Sequence, residues 1–412
     1  MSIHPKTSSA APDISKVTPL SPKGPGRVNN FDLIRLLAAL HVVVAHTLHH
    51  TGIDQTFSPT GTAFFRAFLM IPAVPIFFVV SGFLIMASYE RKPDDLKGYF
   101  WRRGVRIFPA LWVSFVIALG VLFWAGYLNR DFVMSPTFPA WLIAQLTFGQ
   151  AWNPEHFRTF GTGVVNGALW TIAIELQFYL FVPIYYRICQ WFLRFKKSQS
   201  AFKVLLFSAS VASHLYVRHC VNVASDFALI SPLVKLLQMT LLPHLWIFLM
   251  GVSLCRHFGK VRGMLENRFA LWASAWIGVT FLGEYILGDQ TLGGSFLYVI
   301  AQSLLAFVTI SFAYTLPRVS GAFLRGQDIS YGTYLFHYLI INVMMALGYL
   351  TTIASVPVVI FLAISFGYLS WRIIEKPALS LNGKKGGRRF AGSGSRAERT
   401  EEELASPLIL RR

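Results

Sequence analysis

Charge is what this sequence has least of. Only 14% of its 412 residues are Asp, Glu, Lys or Arg, where an ordinary soluble protein carries about 25%. Acidic residues are the scarcer sign, 19 against 37 basic. Cysteine is nearly absent: Cys189, Cys220 and Cys255 stand far apart and form no CxxC pair, so neither a disulfide framework nor a cysteine metal site is indicated. The chain has no HExxH, no GxSxG and no glycine-rich phosphate loop, and its histidines are scattered, so no metal site is expected. Residues 1–29 lack the apolar core and small-residue cleavage pattern of a signal peptide, and their Ser, Pro and Lys content reads as a disordered cytoplasmic tail.

What fills the chain instead is apolar: 54% of the residues are hydrophobic and the mean hydropathy is +0.52. That composition predicts an all-α polytopic membrane protein. Ten apolar runs have spanning length, at about 31–50, 66–88, 107–128, 168–186, 204–220, 236–255, 269–288, 293–315, 328–348 and 355–373. The net charge of +18 sits in short clusters between these runs, which is the pattern of topology signals and not of a nucleic-acid partner. With the N-terminus inside, 31 Lys and Arg fall in cytoplasmic segments and 4 in external ones, so both termini are expected in the cytoplasm. Residues 30–377 then form one membrane domain, and 378–412 a disordered basic tail. The longest external loop, 129–167, contains an apolar stretch at 139–148, too short to cross and suited to an interfacial or re-entrant piece.

An anchoring span carries no ionisable groups, yet Phe31–His50 holds Asp32, Arg35, His41 and His46. Such groups are costly in hydrocarbon and mark functional interiors. Arg35 and His46 are eleven residues apart, which puts them on nearly one face with about 16 Å of rise between them. Histidine titrates nearest neutral pH, so His46, toward the outer end, is the candidate general base, while His41 lies off that face and reads as structural. Arg35 offers a permanently charged fork for phosphate or carboxylate, or pairs with Asp32 or Glu175. Glu175 lies in an aromatic run with no local cation, and three roles fit it: orienting His46, acting as acid or base itself, or pairing with Arg35. The first is preferred. Tyr179, one turn on, shares its face. Asn166 and Trp170, at the outer end of that run, are candidate sugar contacts. Arg103 and Arg106 are one turn apart with Arg102 beside them, a spacing that makes a phosphate clamp or ordinary positive-inside residues. Ser81 next to Gly82, and His337 in the ninth run, complete the candidate cavity residues, with helix packing the competing role for both. Glu375–Lys376–Pro377 reads as a helix stop with a local ion pair.

Taken in order, these stretches carry a resemblance. Arg35 and His46, FFVVSGFLI at Phe77–Ile85, RRGVRIFP at Arg102–Pro109, NGALWTIAIELQFYLFVP at Asn166–Pro183, ISYGTYLFH at Ile329–His337 and IIEKP at Ile373–Pro377 resemble the acyltransferase family 3 integral membrane proteins. The chain departs from the family pattern at Ala173, where Ser is common, and at Leu339, where Pro is common. The resemblance implies an O-acyltransferase of the bacterial inner membrane. Its acyl donor is expected to be acetyl-coenzyme A, used as a substrate with no permanently bound cofactor, and its acceptor a surface polysaccharide or lipid-linked glycan. His46, Glu175 and Arg35 are then expected at the reaction, and Arg102, Arg103 and Arg106 at the donor's phosphates. The rival reading is a flippase or exporter of a lipid-linked glycan, which the same charges would serve. Against it, the two halves show no internal repeat.

Overall fold

The structure, a computed structural model, describes residues 29–52, 55, 57–192, 196–224, 230–287, 294–350 and 352–381. The expected tails, 1–29 and 378–412, fall outside these residues except for residue 29 and residues 378–381. Every regular element among the described residues is helical. The first group is α1 Phe31–Thr51, α2 Pro59–Leu69, α3 Ala73–Glu90, α4 Leu96–Trp124, the short α5 Arg130–Val133 and α6 Thr137–Leu146, and α7 Leu169–Trp191. The second is α8 Lys196–Val223, α9 Pro232–Gln238, α10 Leu245–Arg256, α11 Phe258–Leu265 and α12 Phe269–Phe281. The last is α13 Phe296–Ala313, α14 Val319–Leu324, α15 Ser330–Ala346 and α16 Ser355–Ser370.

Seven helical stretches are long and apolar enough to cross a membrane, or eight if the bent pair α9–α10 counts as one span. The expected runs at 269–288 and 328–348 are shorter helices here, 13 residues in α12 and 17 in α15. Outward faces are rich in large apolar side chains, such as Val116, Phe123, Ile184, Leu205 and Phe361. That is how a surface solvated by lipid is composed.

Sequence explains the helix ends. Asp95 caps α4 by accepting from the Gly98 amide at 2.9 Å, and Ser295 caps α13 by accepting from Tyr298 at 3.1 Å. Gly52 ends α1 in the left-handed conformation, φ 69°, its N–H on the His49 carbonyl. Pro377 does not stop the last helix. After α16 the backbone passes through a π turn at Trp371–Glu375, and residues 376–381 remain helical.

Contacts fix the helix directions. Phe31 packs on Phe83, and His41 stacks on Phe68 just ahead of α3, so α3 runs antiparallel to α1. The Asn30 side chain donates to the carbonyls of Phe312 and Thr315, so α13 ends where α1 begins. Hydrogen bonds from α1 to Asp328, His337 and Tyr338 in chain order make α15 parallel to it. α3 and α10 meet backbone to backbone: a Cβ on Gly82 would overlap the Phe248 carbonyl, and one on Gly251 the Val79 carbonyl.

The segment from 149 to 168 has no helix beyond one short 3-10 turn at Glu155–Phe157, yet its end is held against the bundle by α15. Asn342 of α15, fully buried, donates to the carbonyls of Val164 at 2.9 Å and Val165 at 3.0 Å and accepts from the Thr162 amide at 2.9 Å. Irregular backbone survives at such depth only when protein groups satisfy it. The apolar 139–148 stretch expected as an interfacial or re-entrant piece is mostly α6, which stays half exposed apart from Trp141 and Gln145.

Candidate active site

α1, α3, α4, α7 and α15 surround a cavity of about 120 Å³. Six of the residues picked from sequence line it: Arg35, Ser81, Arg103, Arg106, Glu175 and Tyr179. Asp328, at the foot of α15, organises its cationic wall. Its Oδ2 accepts from both Arg35 and Arg106, and its Oδ1 accepts from the Ser330 hydroxyl at 2.5 Å. Arg35 also reaches Asp32 at 3.1 Å, and Arg106 lies 3.9 Å from the buried Glu375, whose other oxygen accepts from Ser370 at 2.9 Å. The Glu375 partner is therefore on α4 and α16, and a local pair with Lys376 is not what is observed.

Arg103 differs from its neighbours. It lies 5.5 Å from the Tyr179 ring centre and 5.9 Å from that of Tyr99, and makes no ion pair among the described residues. Its guanidinium is the cation in this cavity without a carboxylate. Arg102 points elsewhere: it pairs with Asp95 at 3.1 Å in the loop before α4 and lies outside the cavity lining. That pairing and the Gly98 amide hold the Asp95 carboxyl below its usual range.

Glu175 accepts from the Tyr179 hydroxyl at 2.6 Å, the i to i+4 contact that the sequence suggested. The expected contact between Glu175 and His46 is not made. Instead His46 Nδ1 meets His337 Nε2 at 3.0 Å, and His337 Nδ1 meets the Tyr334 carbonyl at 2.6 Å. A carbonyl only accepts, so Nδ1 of His337 carries the proton. In a neutral ring its Nε2 must then accept from Nδ1–H of His46, which leaves the lone pair of His46 on Nε2. The tautomer of each ring follows from one backbone oxygen. His50, one turn beyond His46, meets the Tyr338 hydroxyl at 3.3 Å, and the His46 ring contacts both His50 and Tyr338.

His46 is not among the cavity-lining residues. The link runs through Tyr334, whose carbonyl holds His337 while its side chain lines the cavity and meets the Thr171 hydroxyl at 2.8 Å. Asn166 is an anchor for the irregular segment, its amide donating to the Leu335 carbonyl at 3.0 Å and its oxygen accepting from Ala168. Trp170 lies against His244 in a second cavity, described below. Sequence reasoning passed over Asp328 and Tyr334. Both signals were in reach: Asp328 immediately precedes the ISYGTYLFH stretch, and Tyr334 is inside it.

The fold and this arrangement define a membrane enzyme with a cationic cavity beside an oriented histidine. The chain belongs to acyltransferase family 3: the family described as "Acyltransferase domain" matches residues 28–372. It is an O-acyltransferase. The chain is similar to Nodulation protein 10 of Rhizobium leguminosarum bv. viciae, 30% identical over 383 residues, or 89% of this chain and 97% of the relative. It is also similar to the O-acetyl transferase of Shigella phage Sf6, 26% identical over 370 residues, 87% of this chain and 98% of the relative. A shorter match, 31% over 122 residues, covers 27% of this chain and 19% of the peptidoglycan O-acetyltransferase OatA of Listeria monocytogenes. No solved structure matches the chain significantly.

Proposed function

We propose that this protein takes acetyl from acetyl-coenzyme A on the cytoplasmic side and places it on a hydroxyl of a surface polysaccharide or lipid-linked glycan, with His46 as general base. The observation that carries the reading is the pairing of a tautomer-fixed His46–His337 unit with a cavity that holds a guanidinium, Arg103, making no direct ion pair among the described residues. The names of the phage O-acetyl transferase and of the peptidoglycan O-acetyltransferase support acetyl as the group moved and a glycan as the acceptor.

In this mechanism Nε2 of His46 takes the proton of the acceptor hydroxyl. The oxygen attacks the thioester carbonyl, the C–S bond breaks, and the departing thiolate takes the proton back from the imidazolium as free thiol. His337 keeps the His46 ring in the tautomer this requires. Arg103, with Arg106 beside it, meets the donor's phosphates, and Ser81 faces the same cavity as a donor to the carbonyl oxygen.

The Lys/Arg distribution supports ten spans with both termini in the cytoplasm of a bacterium and a single membrane domain at 30–377. Arg35 and Arg103 then lie toward the donor's side and His46 toward the acceptor's. Labelled acetyl-coenzyme A supplied to membrane vesicles tests the whole reading. His46→Ala is expected to lower transfer by about 10²–10⁴-fold, and full transfer by that variant overturns the assignment.

A further inference from the structure

The span made by α9 and α10 is bent by 52°. A break at this depth frees backbone groups, each costly in hydrocarbon unless a partner is supplied. Two side chains from neighbouring helices supply them. Gln177 of α7 donates to the Met239 carbonyl at 2.9 Å and accepts from the Leu241 amide at 2.8 Å. Ser210 of α8 donates to the Leu242 carbonyl at 2.6 Å and accepts from the Trp246 amide at 2.8 Å. The break is thus held open by design of its surroundings, and a cavity of about 450 Å³ lies against it. That volume falls in the roughly 300–1,000 Å³ range of small-molecule sites.

A few polar and aromatic side chains stand in an otherwise apolar lining. Tyr298 and His214 stack with centres 5.3 Å apart and planes within 4°, and the Trp170 ring lies 5.5 Å from that of His244. His244 Nε2 meets the Gln238 carbonyl at 3.1 Å, so in the neutral ring its Nδ1 is left as an acceptor. Arg218 is the one Lys or Arg in this lining; its Nε is buried without a partner, and the side chain makes no ion pair among the described residues. The lining residues come from the starts of α3, α7 and α13 and the end of α8, so the cavity sits at the His50 end of the bundle. Phe78 lines both this cavity and the one at Arg103, and the neighbours Trp170 and Thr171 line one each.

From these features we infer that the cavity at the α9–α10 break holds a sugar residue of the acceptor that bears an anionic group, carboxylate or phosphate. The flat rings match the C–H faces of a pyranose, the His244 nitrogen accepts from a hydroxyl, and the Arg218 guanidinium takes the anion. Coenzyme A, with three phosphates, would find a single cation here. A lipid tail has a better match elsewhere, in the groove of about 550 Å³ lined almost wholly by apolar residues of α1, α12 and α13. This inference rests on the acetyl-transfer reading for its acceptor.

Binding is measured by calorimetry on the full-length protein in phosphatidylcholine nanodiscs, using a uronic-acid disaccharide, its neutral counterpart and glucose 1-phosphate. The anionic ligands are expected to bind about tenfold tighter than the neutral one. Arg218→Gln should abolish that preference with Tm unchanged, Arg218→Lys should retain part of it, and Trp170→Ala should weaken all three ligands. Equal affinity for charged and neutral sugars, or a preference that survives Arg218→Gln, overturns the site. Loss of sugar binding in phosphatidylglycerol discs, with a lipid retained through Arg218, also overturns it and assigns the cation to a headgroup. If anionic sugars bind but no acetyl is transferred to any acceptor, the site stands and the acetyl-transfer reading falls. If Arg218→Gln transfers acetyl with an unchanged acceptor KM, the reverse holds.

Discussion

Asp328→Asn tests whether one carboxylate organises the cationic wall. Asp328 is 6% exposed and serves two guanidiniums, whose side chains are 22% and 20% exposed. Asparagine keeps the shape and an oxygen for Ser330, but it removes the charge and turns an amide toward two cations. Removing one partner of a buried ion pair costs about 3–5 kcal/mol. Arg35 keeps Asp32, and Arg106 keeps the more distant Glu375, so the lower end, about 3 kcal/mol, is expected. Thermal unfolding in detergent should then shift down by roughly 6 °C, at about 2 °C per kcal/mol for a protein of this size. A second substitution makes the reasoning refutable on its sign. Adding Arg35→Gln to Asp328→Asn removes one of the two cations that had shared the carboxylate, so the double variant should be more stable than the sum of the two single losses implies. A Tm for Asp328→Asn within about 1 °C of the parent, or strictly additive losses, would refute the account.

Other outcomes follow from the same geometry. Arg103→Ala should raise the donor KM about tenfold with a smaller change in kcat if the proposed charge-assisted contact to a donor phosphate is made; steady-state kinetics with varied acetyl-coenzyme A reads this. His337→Gln should lower kcat by about 10-fold or more and move the pH profile, since the His46 tautomer loses its fixed partner. Unchanged kcat and profile would reduce His337 to packing. Gly161→Ala should destabilise the protein and expose the 149–168 segment to protease, because φ there is 50° and a Cβ would overlap the Asn342 side chain. Tyr179→Phe should lower stability by about 1.5–3 kcal/mol, read by thermal unfolding, since Glu175 loses the hydroxyl that meets it at 2.6 Å.

How far the sequence reached depended on whether partners were local. The apolar runs located most helices, and the spacing of Glu175 and Tyr179 found a real hydrogen bond because one helix turn is a local rule. Six residues chosen for their charge or chemistry share one cavity for a similar reason: polar groups in apolar spans have few places to go. Pairings between distant segments were out of reach. His46 lies 291 positions from His337, and Arg35 lies 293 from Asp328, so choosing His337 over Glu175 as the partner of His46 needed tertiary information. Cavity lining and helix packing both suit the Ser81–Gly82 pair, and the two residues divide those roles between them. The α9–α10 break has a local signal in Pro243, whose missing N–H leaves the Met239 carbonyl without its helical donor, but the Gln177 and Ser210 contacts that satisfy the break come from other helices and were out of reach.

The glycine contact between α3 and α10 ties these two regions into one mechanical part. Where two backbones touch at Gly82 and Gly251, no side chain stands between them to absorb a displacement. α10 begins at the break, and α3 carries Phe78 and Ser81, so two missing methyl groups set the spacing between α10 and the α3 wall that the two cavities share.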